Sequence, residues 1–97
     1  MSRSNTNKTK RWKWYVYILE CMNNTYYTGL TWNPNIRFEQ HLSKFGSKYT
    51  SKNGVKKLVY LEEYDNLETA RIREKQIKDW NRNKKEKLIK GEWSKVW

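Results

Sequence analysis

From Trp14 onward the chain alternates short apolar runs with polar turns. Trp14-Tyr15-Val16-Tyr17-Ile18-Leu19 and Tyr26-Tyr27-Thr28-Gly29-Leu30 are β-branched or aromatic, as strands prefer, and a polar turn at Asn23-Asn24 parts them. Asparagine tolerates the left-handed backbone of a tight turn, so the two runs predict an antiparallel hairpin. If the loop is odd in length and centred on Met22, residues of equal parity face each other, and Tyr17 lies opposite or diagonal to Tyr27 on one face. Aromatic cross-strand pairs are common sheet cement, so this pairing alone points to no chemistry.

The period then changes. Asn33 as N-cap and Pro34 at the first position predict a helix running to about Lys44 or Phe45 and stopping near Gly46. Phe38, Leu42 and Phe45 form its buried stripe, with Arg37, His41 and Lys44 as a cationic stripe beside it. Residues 46–54 are polar and are expected to form a loop, in which Lys48 and Lys52 flank Tyr49. Val55 to Tyr64, with the continuous run Leu58-Val59-Tyr60-Leu61, predicts a third strand buried at the sheet centre. A second helix is expected from an Asp65 cap, with Glu68 three residues on, through about Arg82. Leu67, Ala70 and Ile77 make its apolar face, and Glu74 falls on that same face, where an acid is costly unless a charge meets it. Beside it runs a cationic ridge of Arg71, Lys75, Lys78 and Arg82. A short helix over Lys84 to Lys90 follows, and Trp93 and Trp97 are expected to close over the core.

Ninety-seven residues make one domain. Residues 1–13 read as a flexible basic arm, leaving 14–97 as a single folded unit; the chain's six Trp, seven Tyr and two Phe predict a small core built from large rings rather than from Leu and Val. Lys plus Arg is 21 and Asp plus Glu is 10, so the net charge is +11, which calls for a polyanionic partner, above all nucleic acid. One cysteine and one histidine leave no internal disulfide and no zinc site rich in those ligands, and a reducing cytoplasm suits them. No apolar run approaches the roughly 18 residues of a membrane span.

Two phenols on a hairpin, Arg37 and His41 one turn apart, and Glu74 on an apolar face are each bland alone. Together, on a chain of this charge, they suit phosphodiester hydrolysis. A carboxylate can hold one Mg²⁺, its other ligands being water and substrate oxygens. Arg37 can neutralise charge growing on phosphoryl oxygens. Tyr17, Tyr27 and His41 are the available proton handlers.

These residues resemble those of a GIY-YIG nuclease domain, in particular the small single-domain bacterial members of that superfamily. Tyr15-Val16-Tyr17 stands where the family has Gly-Ile-Tyr, and Tyr27-Thr28-Gly29 where it has Tyr-Ile-Gly. Arg37 and His41 match the family's Arg four residues before a His. Arg73-Glu74 with Ile77-Lys78 matches the segment carrying its metal-binding Glu, and the resemblance spans residues 14 to about 90. It implies an α/β sandwich, a three-stranded antiparallel sheet flanked by helices. It also implies cleavage of nucleic acid, most readily DNA, with Mg²⁺ or Mn²⁺ on Glu74. By the same resemblance Arg37 stabilises the phosphate, Tyr17 is or assists the general base, and Tyr27 and His41 position water and tune that phenol. The family's further polar residue, often Asn, points to Asn81, and Gly29 is an accessory position. Lys44, Lys48, Lys52, Arg71, Lys75, Lys78 and Arg82 are the expected contacts to nucleic acid.

Related enzymes, such as repair incision nucleases and homing endonucleases, carry separate DNA-binding domains. The expectation here is therefore a structure-selective or weakly specific endonuclease, a monomer or weak dimer, with selectivity from DNA shape or a protein partner. A non-catalytic nucleic-acid-binding module of the same fold is the alternative, and a ribosome-associated basic protein a third. An acid on the DNA-facing side favours the enzyme, because a pure binding surface has no use for a group that repels phosphate.

Overall fold

The computed structural model describes residues 12–43 and 47–91. Lys44, Phe45 and Gly46, and Trp93 and Trp97, lie outside the described residues, as do residues 1–11 of the expected arm. Strand β1 is Trp14–Cys21, β2 Tyr26–Thr31 and β3 Val55–Tyr64; helices are α1 Pro34–Leu42, α2 Lys48–Asn53, α3 Leu67–Lys78 and α4 Arg82–Lys90. The sheet is antiparallel with order β2-β1-β3 and is flanked by helices, as expected.

The hairpin loop is centred on Asn23, not Met22. Cys21 N donates to Thr25 O (2.8 Å) and Asn24 N to Cys21 O (2.9 Å), while Asn24 takes the left-handed backbone at φ 65°. This moves the pairing by two residues, so Tyr17 opposes Gly29 and Leu19 opposes Tyr27. Tyr17 and Tyr27 keep one face but are diagonal neighbours.

The third strand lies at the edge, and β1 takes the centre. A continuous apolar run suits a strand covered on both sides, but in β3 most of it is half-buried and Leu61 is exposed. In β1, Val16, Ile18 and Leu19 are fully buried and Tyr17 is only 3% exposed, so both faces of that strand are covered.

One face, through Val16 and Ile18, packs on Ala70, Ile77 and Leu88, with Trp14, Leu30, Tyr60, Trp80 and Ile89 around them. Full burial of an Ile or Leu side chain contributes roughly 1.5–3 kcal/mol, so this cluster is the main hold on α3 and α4. The other face carries Tyr17 and Leu19 beneath α1, where Pro34, Arg37, Phe38 and Leu58 close around them.

Each helix among the described residues begins on a side-chain cap. Asn33 Oδ1 accepts from Ile36 N, Ser47 Oγ from Thr50 N, Asn66 Oδ1 from Thr69 N and Asn81 Oδ1 from Lys84 N, at 2.9–3.2 Å. Three expectations change here. Residues 48–53 are a helix, closed by Gly54 at φ 76°. Asn66, not Asp65, caps α3. That helix stops at Lys78, so Asn81 and Arg82 belong to α4 rather than to the face of Glu74.

The roll of α1 also differs. His41 is fully buried and Leu42 exposed, because the covering surface on that side is polar, Tyr17 from the sheet and Thr50 from α2. Trp12, in the expected arm, is 65% exposed, and Lys13 beside it pairs with Glu63 (3.5 Å) and Asp65.

A partly buried acid does pair with a cation beside the core, and it is Glu62. Arg73 Nη2 lies 2.9 Å and Nε 3.0 Å from its oxygens, and Tyr64 Oη donates at 2.6 Å with Tyr60 Oη also bound. Burial pushes this carboxyl up, but the Arg73 and two phenol hydrogen bonds outweigh it and hold Glu62 below the usual carboxylate range.

Candidate active site

The site starts from the missing side chain of Gly29. A Cβ built there would run into the phenol oxygen and Cζ of Tyr17, so the Tyr17 ring lies directly over the β2 backbone. Its hydroxyl meets Nε2 of His41 at 2.9 Å. His41 Nδ1 lies 2.7 Å from Thr50 Oγ1, and that hydroxyl is 2.9 Å from Ser47 Oγ and 3.4 Å from Ser47 O.

These bonds admit a self-consistent direction in which Thr50 Oγ1 donates to the Ser47 carbonyl and accepts the Nδ1–H of His41, and Nε2 accepts the Tyr17 O–H; the opposite tautomer reverses the two His41 bonds. Burial, with the charge of Arg37 adding to it, lowers the His41 pKa to about 4, so the ring is neutral near pH 7. Burial pushes the Tyr17 phenol up to about 12; Arg37 pulls it down, while Tyr27 and the Glu74 carboxylate push it further up. The same interactions bring Arg37 and Glu74 within electrostatic reach of one phenol from two different layers of the fold. Arg37 also donates from Nη1 to Gln40 (2.9 Å).

Tyr27 extends the constellation. Its ring centroid is 6.4 Å from that of Tyr17, 5.3 Å from His41 and 6.0 Å from Tyr49, on which it stacks with 20° between planes. Thr25 and Tyr49 share a hydrogen bond through their hydroxyls. Glu74 is 19% exposed, and its Oε2 lies 3.1 Å from Lys78 Nζ. Alongside, Tyr27, Thr28, Tyr49, Lys78 and Lys85 border a hollow of about 340 Å³ open to solvent. Lys85 is half-buried there, and burial, with Lys78 adding, pushes its amine below the ordinary lysine range.

Tyr17, Tyr27, Arg37 and His41 thus come together, with Gly29 beneath and Glu74 beside them. Lys48 and Lys52 are exposed on α2 next to Tyr49, and Arg71 and Lys75 are exposed together on α3 around a larger hollow of about 620 Å³. That larger hollow holds Glu68 but no phenol or imidazole, so it adds to a basic face and not to the chemistry.

Arg82 and Asn81 have other employment. Arg82 donates to the Asn24 carbonyl, pairs with Glu86 (3.0 Å) and lies 4.7 Å over the Tyr26 ring, and Asn81 caps α4. Tyr49, Thr50, Ser47 and Lys85 were missed. The spacing of Ser47, a capping hydroxyl, to Gly54 was the signal for a helix there, too short to show a hydrophobic period.

Among the described residues no group of three or more His, Cys, Asp or Glu is placed to hold a metal ion. A single carboxylate still fits Mg²⁺, which keeps several waters and takes one or two carboxylates together with phosphate oxygens. Glu74, the carboxylate expected from the sequence, is partly buried, and its Oε2 faces the cation of Lys78. Among the described residues no helix is long and apolar enough to cross a membrane.

Comparison with known proteins agrees with this fold. The GIY-YIG catalytic domain matches residues 13–87. The UPF0213 protein of Syntrophus aciditrophicus (strain SB) is 49% identical over 77 residues, covering 78% of this chain and 88% of its own. The UPF0213 protein NP_0776A of Natronomonas pharaonis is 41% identical over 78 residues, covering 80% and 92%. The solution NMR structure of the UPF0213 protein BH0048 from Bacillus halodurans is similar with a TM-score of 0.53 at 38% identity, covering 80% of this chain and 83% of that one. GIY-YIG domains are in general nucleases, and such nucleases generally use divalent metals. Matched from the start of the hairpin into its last helix, the chain belongs to the GIY-YIG family.

Proposed function

We propose that this protein is a metal-dependent endonuclease that hydrolyses phosphodiester bonds in DNA. The observation that carries the reading is the buried Tyr17–His41–Thr50 chain, ending at a phenol that both Arg37 and Glu74 influence.

Burial leaves the phenol, pushed up to about 12, protonated at neutral pH, and Arg37, joined by a divalent ion on Glu74, would pull it back down. The neutral imidazole offers an unprotonated Nε2, weakly basic because burial and Arg37 lower the ring to about 4, as a transient holder of the phenol proton. As water attacks phosphorus, its proton passes to the Tyr17 oxygen while the Tyr17 proton passes to Nε2 of His41, and Nδ1–H stays on Thr50. The bond from phosphorus to the leaving oxygen then breaks and that oxygen takes a proton from solvent, while His41 hands its proton back to Tyr17 as Tyr17 releases the water proton to solvent, leaving a phosphate monoester and a free hydroxyl. Arg37 neutralises charge on the phosphoryl oxygens, and Tyr27 with Tyr49 walls the phosphate on the hollow's side. Glu74 would hold the divalent ion, which supplies Lewis-acid stabilisation of the phosphoryl group and the leaving oxygen. Lys78, Lys85, Lys75 and Arg71 supply cations for the strand on either side. The lone buried thiol, Cys21, suits a reducing cytoplasm.

The test is a cleavage assay on single-stranded, duplex, flapped and branched DNA with Mg²⁺ or Mn²⁺, against chelator and against Glu74→Gln. Cleavage that disappears in both controls, with DNA binding equal or tighter in the variant, is the expected result. Binding without cleavage on every substrate would instead make the chain a nucleic-acid-binding module.

A further inference from the structure

At the open end of the hairpin the sheet leaves an aromatic surface that the catalytic chain does not use. Trp12 is 65% and Trp32 48% exposed, their rings edge to face at 4.9 Å. Trp14 reaches from the core to complete the set, and the three indoles alone line a hollow of about 340 Å³. A second hollow of about 300 Å³ adjoins it through Trp14 and Trp32, and its far wall includes Ile36 and Arg37. Arg37 is also the cation that acts on Tyr17. The indole groove and the catalytic phenol therefore share one side chain. Trp14 stands three residues before Tyr17 on β1, roughly 10 Å along the strand but on the opposite face, so Arg37, which borders both, is the link between them.

Keeping large indoles in water is unfavourable, so an exposed set of this kind calls for an occupant. Its chemistry selects one. The walls are flat π surfaces, which a planar heteroaromatic ring covers better than aliphatic side chains do. The net charge of +11 favours a polyanion, and Arg37 at the far wall provides for a phosphate next to a stacked ring. A base within a duplex already has both faces covered by its neighbours, so only an unpaired base can enter.

We propose that Trp12, Trp14 and Trp32 form a stacking site for unpaired bases of single-stranded DNA, which leads the strand past Arg37 to Tyr17. Its bearing on cleavage rests on the nuclease reading, whereas the binding stands apart from it.

The experiment separates the two. The full-length chain, in chelator, is titrated with a thymidine oligomer and with a duplex of equal length, following tryptophan fluorescence and anisotropy of a labelled strand. Trp12→Ala, Trp32→Ala and Trp32→Phe are run beside the parent, with circular dichroism as the check on folding. Each alanine variant is expected to bind the single strand about five- to a hundredfold more weakly with duplex affinity unchanged, and Trp32→Phe to recover most of the loss. Equal losses on duplex and single strand, or no loss on either, would overturn the site. So would preferential binding of a uridine oligomer, or a parent dimer that the alanine variants convert to monomer while single-strand binding persists. Loss of single-strand binding in the variants of a parent that cleaves nothing with Mg²⁺ keeps this inference and removes the nuclease.

Discussion

The ring of Tyr17 occupies the space that a side chain on Gly29 would need. The requirement for glycine at that position is therefore set by its cross-strand partner and not by backbone angle, since its φ is not among the positive ones.

Gly29→Ala should consequently damage the site before it damages the sheet. Displacing the ring breaks the Tyr17–His41 bond and overpacks a fully covered strand, at about 1–3 kcal/mol. A lowered urea midpoint together with loss of cleavage is expected. A variant that cuts at the parental rate would mean that the ring can slide at no cost.

His41 should make the fold sensitive to acid. The unfolded imidazole takes a proton near pH 6.5, the folded one only near 4, so between those values the unfolded chain binds more protons. The contribution is complete above pH 6.5 and is lost as pH falls toward 4, on the order of 3 kcal/mol in all. Urea midpoints of the parent and of His41→Gln, compared at pH 7.5 and pH 4.5, should converge as pH falls; a constant difference would refute the assignment.

Removing Arg37 should act twice. Arg37→Ala is expected to lower kcat by at least about a hundredfold with a smaller change in binding, as for a group that meets charge in the transition state. Because Arg37 also holds the His41 pKa down, the His41 midpoint followed by NMR should rise in the same variant. A loss confined to binding would make Arg37 a phosphate contact only.

The ion pair of Glu62 and Arg73 should prove the costliest to break singly. Arg73→Leu leaves a largely covered carboxylate with only two phenols, and roughly 2–4 kcal/mol of stability should go. Adding Glu62→Leu should restore part of it. A double variant less stable than the single one would contradict this account.

Much of this was legible along the chain because it is local. Equal parity put Tyr17 and Tyr27 on one face, Asn33-Pro34 marked the start of α1, and Ala70 and Ile77 marked the core side of α3. What escaped depends on contacts distant in sequence. Two adjacent stripes on α1 could each be the inner one, and only Tyr17 and Thr50, beyond the helix, decide for His41 over Leu42. Strand order likewise is a matter of which partners β1 finds, and a continuous apolar run in β3 cannot tell a central place from an edge. Glu62 looks like any surface acid until Arg73, eleven residues on, folds over it.

Strand β1 gives alternate residues to opposite sides, Val16 and Ile18 to the core and Tyr17 and Leu19 to the site. Its amides should then be among the slowest in the domain to exchange with solvent, opening only when the whole molecule opens. Heat inactivation would accompany unfolding and not precede it. For an evolving sequence, repacking the core and retuning the phenol are one and the same problem.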